Sequence, residues 1–139
     1  MFRLSIVTPE KTFYEAEITS LVAPGTEGYL GVLSHHAPLI TALKPGRIEF
    51  RDADEMVKMA AVSGGFLEVS NNVATLLADA VEWADEIDIE RAQAAYEREK
   101  KRLVSAGAGE TDIDLPSVRA ALERAANRLK VAKESREKK

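Results

Sequence analysis

The sequence predicts a β + α protein of two domains, an N-terminal antiparallel β-sandwich over residues 1–84 and a C-terminal antiparallel two-helix hairpin over residues 85–139. Turn signals recur, often about ten residues apart, as far as Ala80: Pro24-Gly25, Pro45-Gly46, Asp52-Ala53-Asp54, Gly64-Gly65 and Asn71-Asn72. Between them lie short runs rich in branched residues. After Trp83 the two-residue alternation gives way to a helical period. A chain of 139 residues that is 45% hydrophobic can bury one fair-sized core and a small appendage, which suits this division.

FRLSIV and ITSLVA read as the first strands. In GRIEFRDADEMVKMAAV two apolar arms flank a polar turn, and FLEVSNNVATLLAD repeats the arrangement around Asn71-Asn72, residues that tolerate the left-handed backbone of a tight turn. Two hairpins in succession predict a meander. Asp88 then suits a helix N-cap before IERAQAAYEREKKRLVSA, a run of strong helix formers that Gly107 ends. GAGETDID reads as a flexible linker, Asp114 or a neighbour as a second cap, and Pro116 as a first-turn proline. From about Leu115 toward Glu134 the apolar residues Val118, Leu122, Ala125, Leu129 and Ala132 make one stripe, facing Ile89, Ala92, Tyr96 and Leu103. Much of that seam is alanine. A buried methyl stabilises by about 0.8 kcal/mol where Leu or Ile reaches roughly 1.5–3, so the hairpin holds itself weakly.

Composition excludes several functions. There is no Cys, hence no disulfide framework, thiol nucleophile or thiolate metal site. No signal-like leader is visible, and no segment approaches about 18 consecutive apolar residues. The net charge of −4 is unevenly spread: residues 1–84 carry six basic and eleven acidic side chains, whereas residues 115–139 carry eight basic and three acidic. That basic end wants an acidic partner. Nucleic acid is a poor one, because the sandwich is acidic and the basic helix has no aromatic residue.

The stretch TEGYLGVLSHHAPL, residues 26–39, admits three readings. A phosphate loop would lead into a helix, and this one leads into more strand. On a strand His35 and His36 point to opposite faces, and no third His exists, so no metal site follows. There remain a fold role, with glycines making turns and histidines bonding locally, and a docking role for the apolar Tyr29, Leu30, Val32 and Leu33.

TEGYLGVLSHHAPLITALKPG, then SGGFLEVSNNVATLLAD, then a helical hairpin, resembles the epsilon subunits of bacterial F-type ATP synthases, called delta in mitochondria. The resemblance covers essentially the whole chain. It implies a non-catalytic rotor subunit joining the gamma subunit to the c-ring, at the cytoplasmic face of the bacterial inner membrane and bound to that membrane only through the complex. It implies ring contacts at Glu27, Gly28, Tyr29, Leu30 and His36, with residues 38–45 nearby. Relatives often carry an acidic residue where this chain has Tyr29, so stacking or apolar packing can replace an ionic contact. The helices of such subunits lie folded or extend along gamma toward the alpha and beta subunits, where they block ATP hydrolysis; Arg119, Arg124, Arg128, Lys130 and Lys133 would then meet an acidic stretch of beta. IDIERA, residues 87–92, resembles the ATP-sensing motif of some of these subunits. This implies a regulatory ATP, without any catalytic cofactor, held by Glu82, Ile87, Asp88, Arg91, Ala92, Arg98, Arg124 and Arg128.

Overall fold

A computed structural model describes residues 1–109 and 114–137. They form two compact units, Met1–Trp83 and Ala84–Lys139. The first contains nine strands: β1 (Phe2–Val7), β2 (Thr12–Gly25), β3 (Gly28–Val32), β4 (Leu39–Leu43), β5 (Gly46–Asp52), β6 (Val57–Val62), β7 (Gly65–Ser70), β8 (Val73–Ala78) and β9 (Val81–Trp83). In the second, a 3₁₀ turn (Ala84–Glu86) precedes α1 (Ile89–Gly107) and α2 (Leu115–Glu137).

The strand order is β1-β8-β7-β4-β2-β5-β6-β9, with β3 paired to β2 and β1 paired back to β2. The sheet therefore folds over itself into a sandwich, and the 14-residue β2 serves both layers. Alternation places Phe2, Leu4 and Ile6 inside, beside Ala74, Leu76, Leu67 and Val69 of the same layer and in one core with Ile48 and Phe50, all at most 2% exposed. In β2 the buried residues step from Ile18 to Leu21 because the register against β5 slips between Ile18 and Ser20. An extra residue there shifts the phase by one.

The two hairpins form where the sequence placed them, β5 with β6 and β7 with β8, but they make no meander. β6 pairs with β9, and β7 pairs with β4. Nor is every pairing antiparallel, since β1 runs parallel to β8. Asn71 and Asn72 both have positive φ, 52° and 62°, as the tight turn requires. The β5–β6 turn is tied by the Asp52 carboxylate, which accepts from the Asp54 and Met56 N–H groups at 2.9 and 3.0 Å. Gly65, φ 144°, cannot carry a side chain, because a Cβ would strike the Leu77 carbonyl oxygen. Phe13, Tyr14, Phe50 and Trp83 form an aromatic group with ring centres 4.7–6.1 Å apart. Burial there, helped by the Asp52 charge, raises the Tyr14 phenol pKa.

In the helical unit Asp88 caps α1, its carboxylate accepting from the Arg91 N–H at 3.2 Å. Gly107 is the last residue of α1 rather than its terminator. Ala108 follows as the C-cap, and the positive φ of 93° falls on Gly109. Half of the expected linker, residues 110–113, lies outside the described residues. The Asp114 carbonyl accepts the Val118 N–H, which starts α2, and α2 continues to Glu137, three residues past the expected end. Arg136, near the end of α2, bonds to the carbonyls of Ala84 and Ile87, just before α1, so the two helices run antiparallel. Their buried positions are Ala92 and Glu99 on α1, and Val118, Ala125, Leu129, Val131 and Ala132 on α2.

Candidate functional site

In the sandwich unit, the turn between β2 and β3 and the Lys44-Pro45 turn come together at one end. Gly25 pairs with Gly28 and also lies beside Leu43. The Thr26 N–H donates to the Ala42 carbonyl at 3.1 Å, and the Lys44 N–H to the Pro24 carbonyl at 3.0 Å. Tyr29 is fixed here by a residue that the sequence reading did not single out. The Arg47 N–H donates to the Tyr29 hydroxyl at 3.1 Å, and the Arg47 guanidinium carbon stands 5.0 Å from the Tyr29 ring centre. Gly46 permits this approach, because a side chain there would run into the Pro24 ring. Glu27 and Gly28 are exposed, and Tyr29 is 47% exposed.

The apolar residues of the loop divide. Val32 is buried in the core, Leu30 is half-buried and packs against it, and Leu33 is 64% exposed. The histidines sit in a turn rather than on a strand, and only His36 bonds locally. His35 has φ 64° and donates its N–H to the Asn72 side chain at 2.8 Å, while a His36 ring nitrogen lies 2.7 Å from the Ala37 carbonyl. His36 is therefore separated from Glu27, Gly28 and Tyr29 by the length of β3, at the end of the sandwich where Asn72 turns the chain. Among the described residues no group of three or more His, Asp or Glu side chains is placed to hold a metal.

The outer face of the β4-β7-β8-β1 layer carries a second feature. Ala42, Phe66, Leu77 and Val7 stand in register across its four strands. Phe66 and Leu77 are 57% and 51% exposed, and Ile40 on the same layer is 73% exposed. Val7, Pro9, Ala42, Phe66 and Leu77 help line an open concavity of about 580 Å³ on this face. A sequence signal existed: alternation assigns Phe66 and Leu77 to the outward phase, where polar residues belong.

In the helical unit the residues of the IDIERA motif take different tasks. Ile87 and Ala92 are buried, Asp88 is engaged as the cap, and the Arg91 side chain is exposed. Arg91 and Arg98 directly precede Ala92 and Glu99, and Arg124 and Arg128 directly precede Ala125 and Leu129. On antiparallel helices, positions that precede the seam fall on a common flank, so all four guanidiniums occupy one side of the pair. Arg119, Lys130 and Lys133 directly follow Val118, Leu129 and Ala132, which places them on the opposite flank. Glu82 belongs to the other unit, on β9 opposite Ala61. Glu99 was missed. Its side chain is 11% exposed and bonded to Arg102 at 3.1 Å, with Arg98 at 3.9 Å. Its signal was its place in the sequence Ala92, Tyr96, Glu99, Leu103, stepping by four, three and four.

The fold and these features define a protein of two units, a β-sandwich and a helical pair, with no reaction centre evident among the described residues. Comparison with known proteins agrees. Residues 1–84 match the family model described as ATP synthase, Delta/Epsilon chain, beta-sandwich domain, and residues 85–133 match the long alpha-helix domain of the same chain. The chain is 49% identical over 130 residues to the ATP synthase epsilon chain of Desulforamulus reducens, covering 94% of this chain and 96% of that one. It is 46% identical over 129 residues to that of Moorella thermoacetica, covering 93% and 94%. A chain of the Euglena gracilis mitochondrial ATP synthase, solved by cryo-EM, shares the fold with a TM-score of 0.78 at 22% identity, covering 95% of this chain and 78% of that one. The protein belongs to the ATP synthase delta/epsilon family and is a subunit of that complex, not its catalyst.

Proposed function

We propose that this subunit works in the central stalk, joining gamma to the c-ring, and that its helical pair senses ATP and restrains ATP hydrolysis, at the cytoplasmic face of a bacterial membrane. The end formed by Glu27, Gly28, Tyr29 and the Lys44-Pro45 turn is the ring contact. With Tyr29 held by Arg47, that contact sets a half-exposed ring beside the exposed Glu27 carboxylate. The apolar row at Phe66 and Leu77 is the surface for gamma, since a protein partner covers such a patch more readily than water does.

The observation that most supports ATP sensing is the gathering of Arg91, Arg98, Arg124 and Arg128 on one flank of an antiparallel pair. Guanidiniums hold phosphate oxygens by paired, charge-assisted hydrogen bonds, so two helices that each bring two of them suit a triphosphate. That arrangement lasts only while the helices lie together. A ligand bound there favours the closed pair by its differential affinity. Separation frees Arg124 and Arg128, which with Arg119, Lys130 and Lys133 present a basic helix to an acidic stretch of beta. ATP and beta then compete for the same two arginines.

The test uses the full chain with ATP or AMP. ATP should raise the melting temperature of the helical signal, AMP should do so much less, and Arg124→Ala with Arg128→Ala should remove the shift while the sandwich melts unchanged. Absence of any shift with millimolar ATP would reduce IDIERA to a helix start. Retention on immobilised gamma, lost on Phe66→Asp with Leu77→Asp, tests the stalk role.

A further inference from the structure

We propose that Arg136 is the latch of the helical pair, the contact whose release lets α2 leave α1. Its guanidinium makes three hydrogen bonds, all to backbone carbonyls. Nη2 donates to Ile87 at 2.8 Å, and Nη1 donates to Ala84 and to Ala132, each at 3.1 Å. One planar fork thus grips the chain just before α1 while holding the end of its own helix.

The Ile87 carbonyl needs such a partner, whereas the Ala84 carbonyl also accepts the Ile87 N–H at 3.4 Å. Ala84 and Ile87 are each 1% exposed, so water has little access to them. The Arg91 N–H, which the Ile87 carbonyl would receive in a continuous helix, goes to the Asp88 carboxylate instead. The Ile87 carbonyl, one residue before the cap of α1, is therefore left without that donor, and Arg136 supplies one. The Ala132 carbonyl lies just before the last turn of α2, and Arg136 in that turn is a cation favoured by the helix dipole.

The buried positions of the pair mix Ala92, Ala125 and Ala132 with Val118, Leu129, Val131 and a carboxylate at Glu99, so close to half of them add little adhesion. A charged donor lost from two buried carbonyls is therefore a large share of what opposes separation. The latch also fixes Ile87, the first residue of the motif proposed above for ATP. It rests on that reading only in what the closed pair is for, and its test requires no nucleotide.

Because the chain has no cysteine, two can be added cleanly for spin labels, at the exposed Ala94 on α1 and the exposed Glu123 on α2. Distances between the labels are measured by double electron–electron resonance in the full chain without nucleotide. A charged hydrogen bond lost to Arg136→Ala should raise the ratio of separated to closed pairs by roughly tenfold or more. Arg136→Lys should fall between, because an ammonium keeps the charge and loses the fork. Helical circular dichroism should stay near the wild-type value in both. Identical distance distributions in Arg136→Ala and wild type would overturn the latch. So would a loss of helicity without a change in distance, which would confine Arg136 to capping α2, or a wild-type pair already separated. If Arg136→Ala separates the pair and millimolar ATP does not close it again, the latch stands and the nucleotide reading falls.

Discussion

The two units bury their chains by opposite means. The sandwich encloses Phe2, Leu4, Ile6, Ile18, Leu21, Ile48, Phe50, Leu67 and Leu76, each at most 1% exposed, in a network whose first strand pairs with its eighth. The helical pair closes over alanines, a few larger aliphatics and one carboxylate. Large interlocking side chains penalise any displacement, since every void forfeits contacts on several sides. Methyl groups forfeit little. One sequence thus carries a part whose packing strongly resists rearrangement beside a part whose packing resists it less, and the difference lies in side-chain volume at the seams.

The sharpest way to break this contrast is to remove volume from each unit. Ile48→Ala, at a fully enclosed site, should destabilise the sandwich by about 2–5 kcal/mol, read as a lower urea midpoint of the strand signal. A cost below about 1 kcal/mol would show that the sandwich relaxes as readily as the helices. A smaller effect separates two neighbours in the loop. Leu30→Asp puts a charge against the core and should cost about 2 kcal/mol in the free chain, whereas Leu33→Asp, on a 64% exposed residue, should stay within about 0.5. Equal losses would mean that both leucines serve the core. The smallest change tests the helices. Glu99→Leu replaces a largely desolvated carboxylate, whose bonded partner Arg102 lies on its own helix, and should stabilise the closed pair by about 1 kcal/mol. A loss of stability would show that Glu99 holds the helices together.

Much of this was legible from local patterns. Alternation and turn residues located both hairpins, Asp88 announced its helix, and the stripe on α2 differs only in that Val131 is buried and Leu122 half-buried. What local pattern could not supply was partnership at a distance. β4 lies between β2 and β7, and β6 turns to β9, because long-range register decides which hairpin edges meet, and adjacent hairpins look alike in sequence whether or not they pair. The candidate sites divide in the same way. The loop was found from its glycines and large apolar groups, yet only coordinates separate buried Val32 from exposed Leu33, or reveal that Arg47 steadies Tyr29. Arg136 looks like any charge in a terminal run, and nothing nearby in sequence marks the carbonyls it reaches.

The length of β2 has a mechanical consequence. This single strand bonds to β1, β3, β4 and β5. A pull on the turn at Thr26 and Glu27 enters the end of β2 and travels along covalent backbone into both layers. Between antiparallel strands the hydrogen bonds stand across the strand direction, so a load along β2 shears many of them together instead of opening them one by one. Torque delivered at that turn would meet a stiff spar, with little of the strain left to side-chain packing.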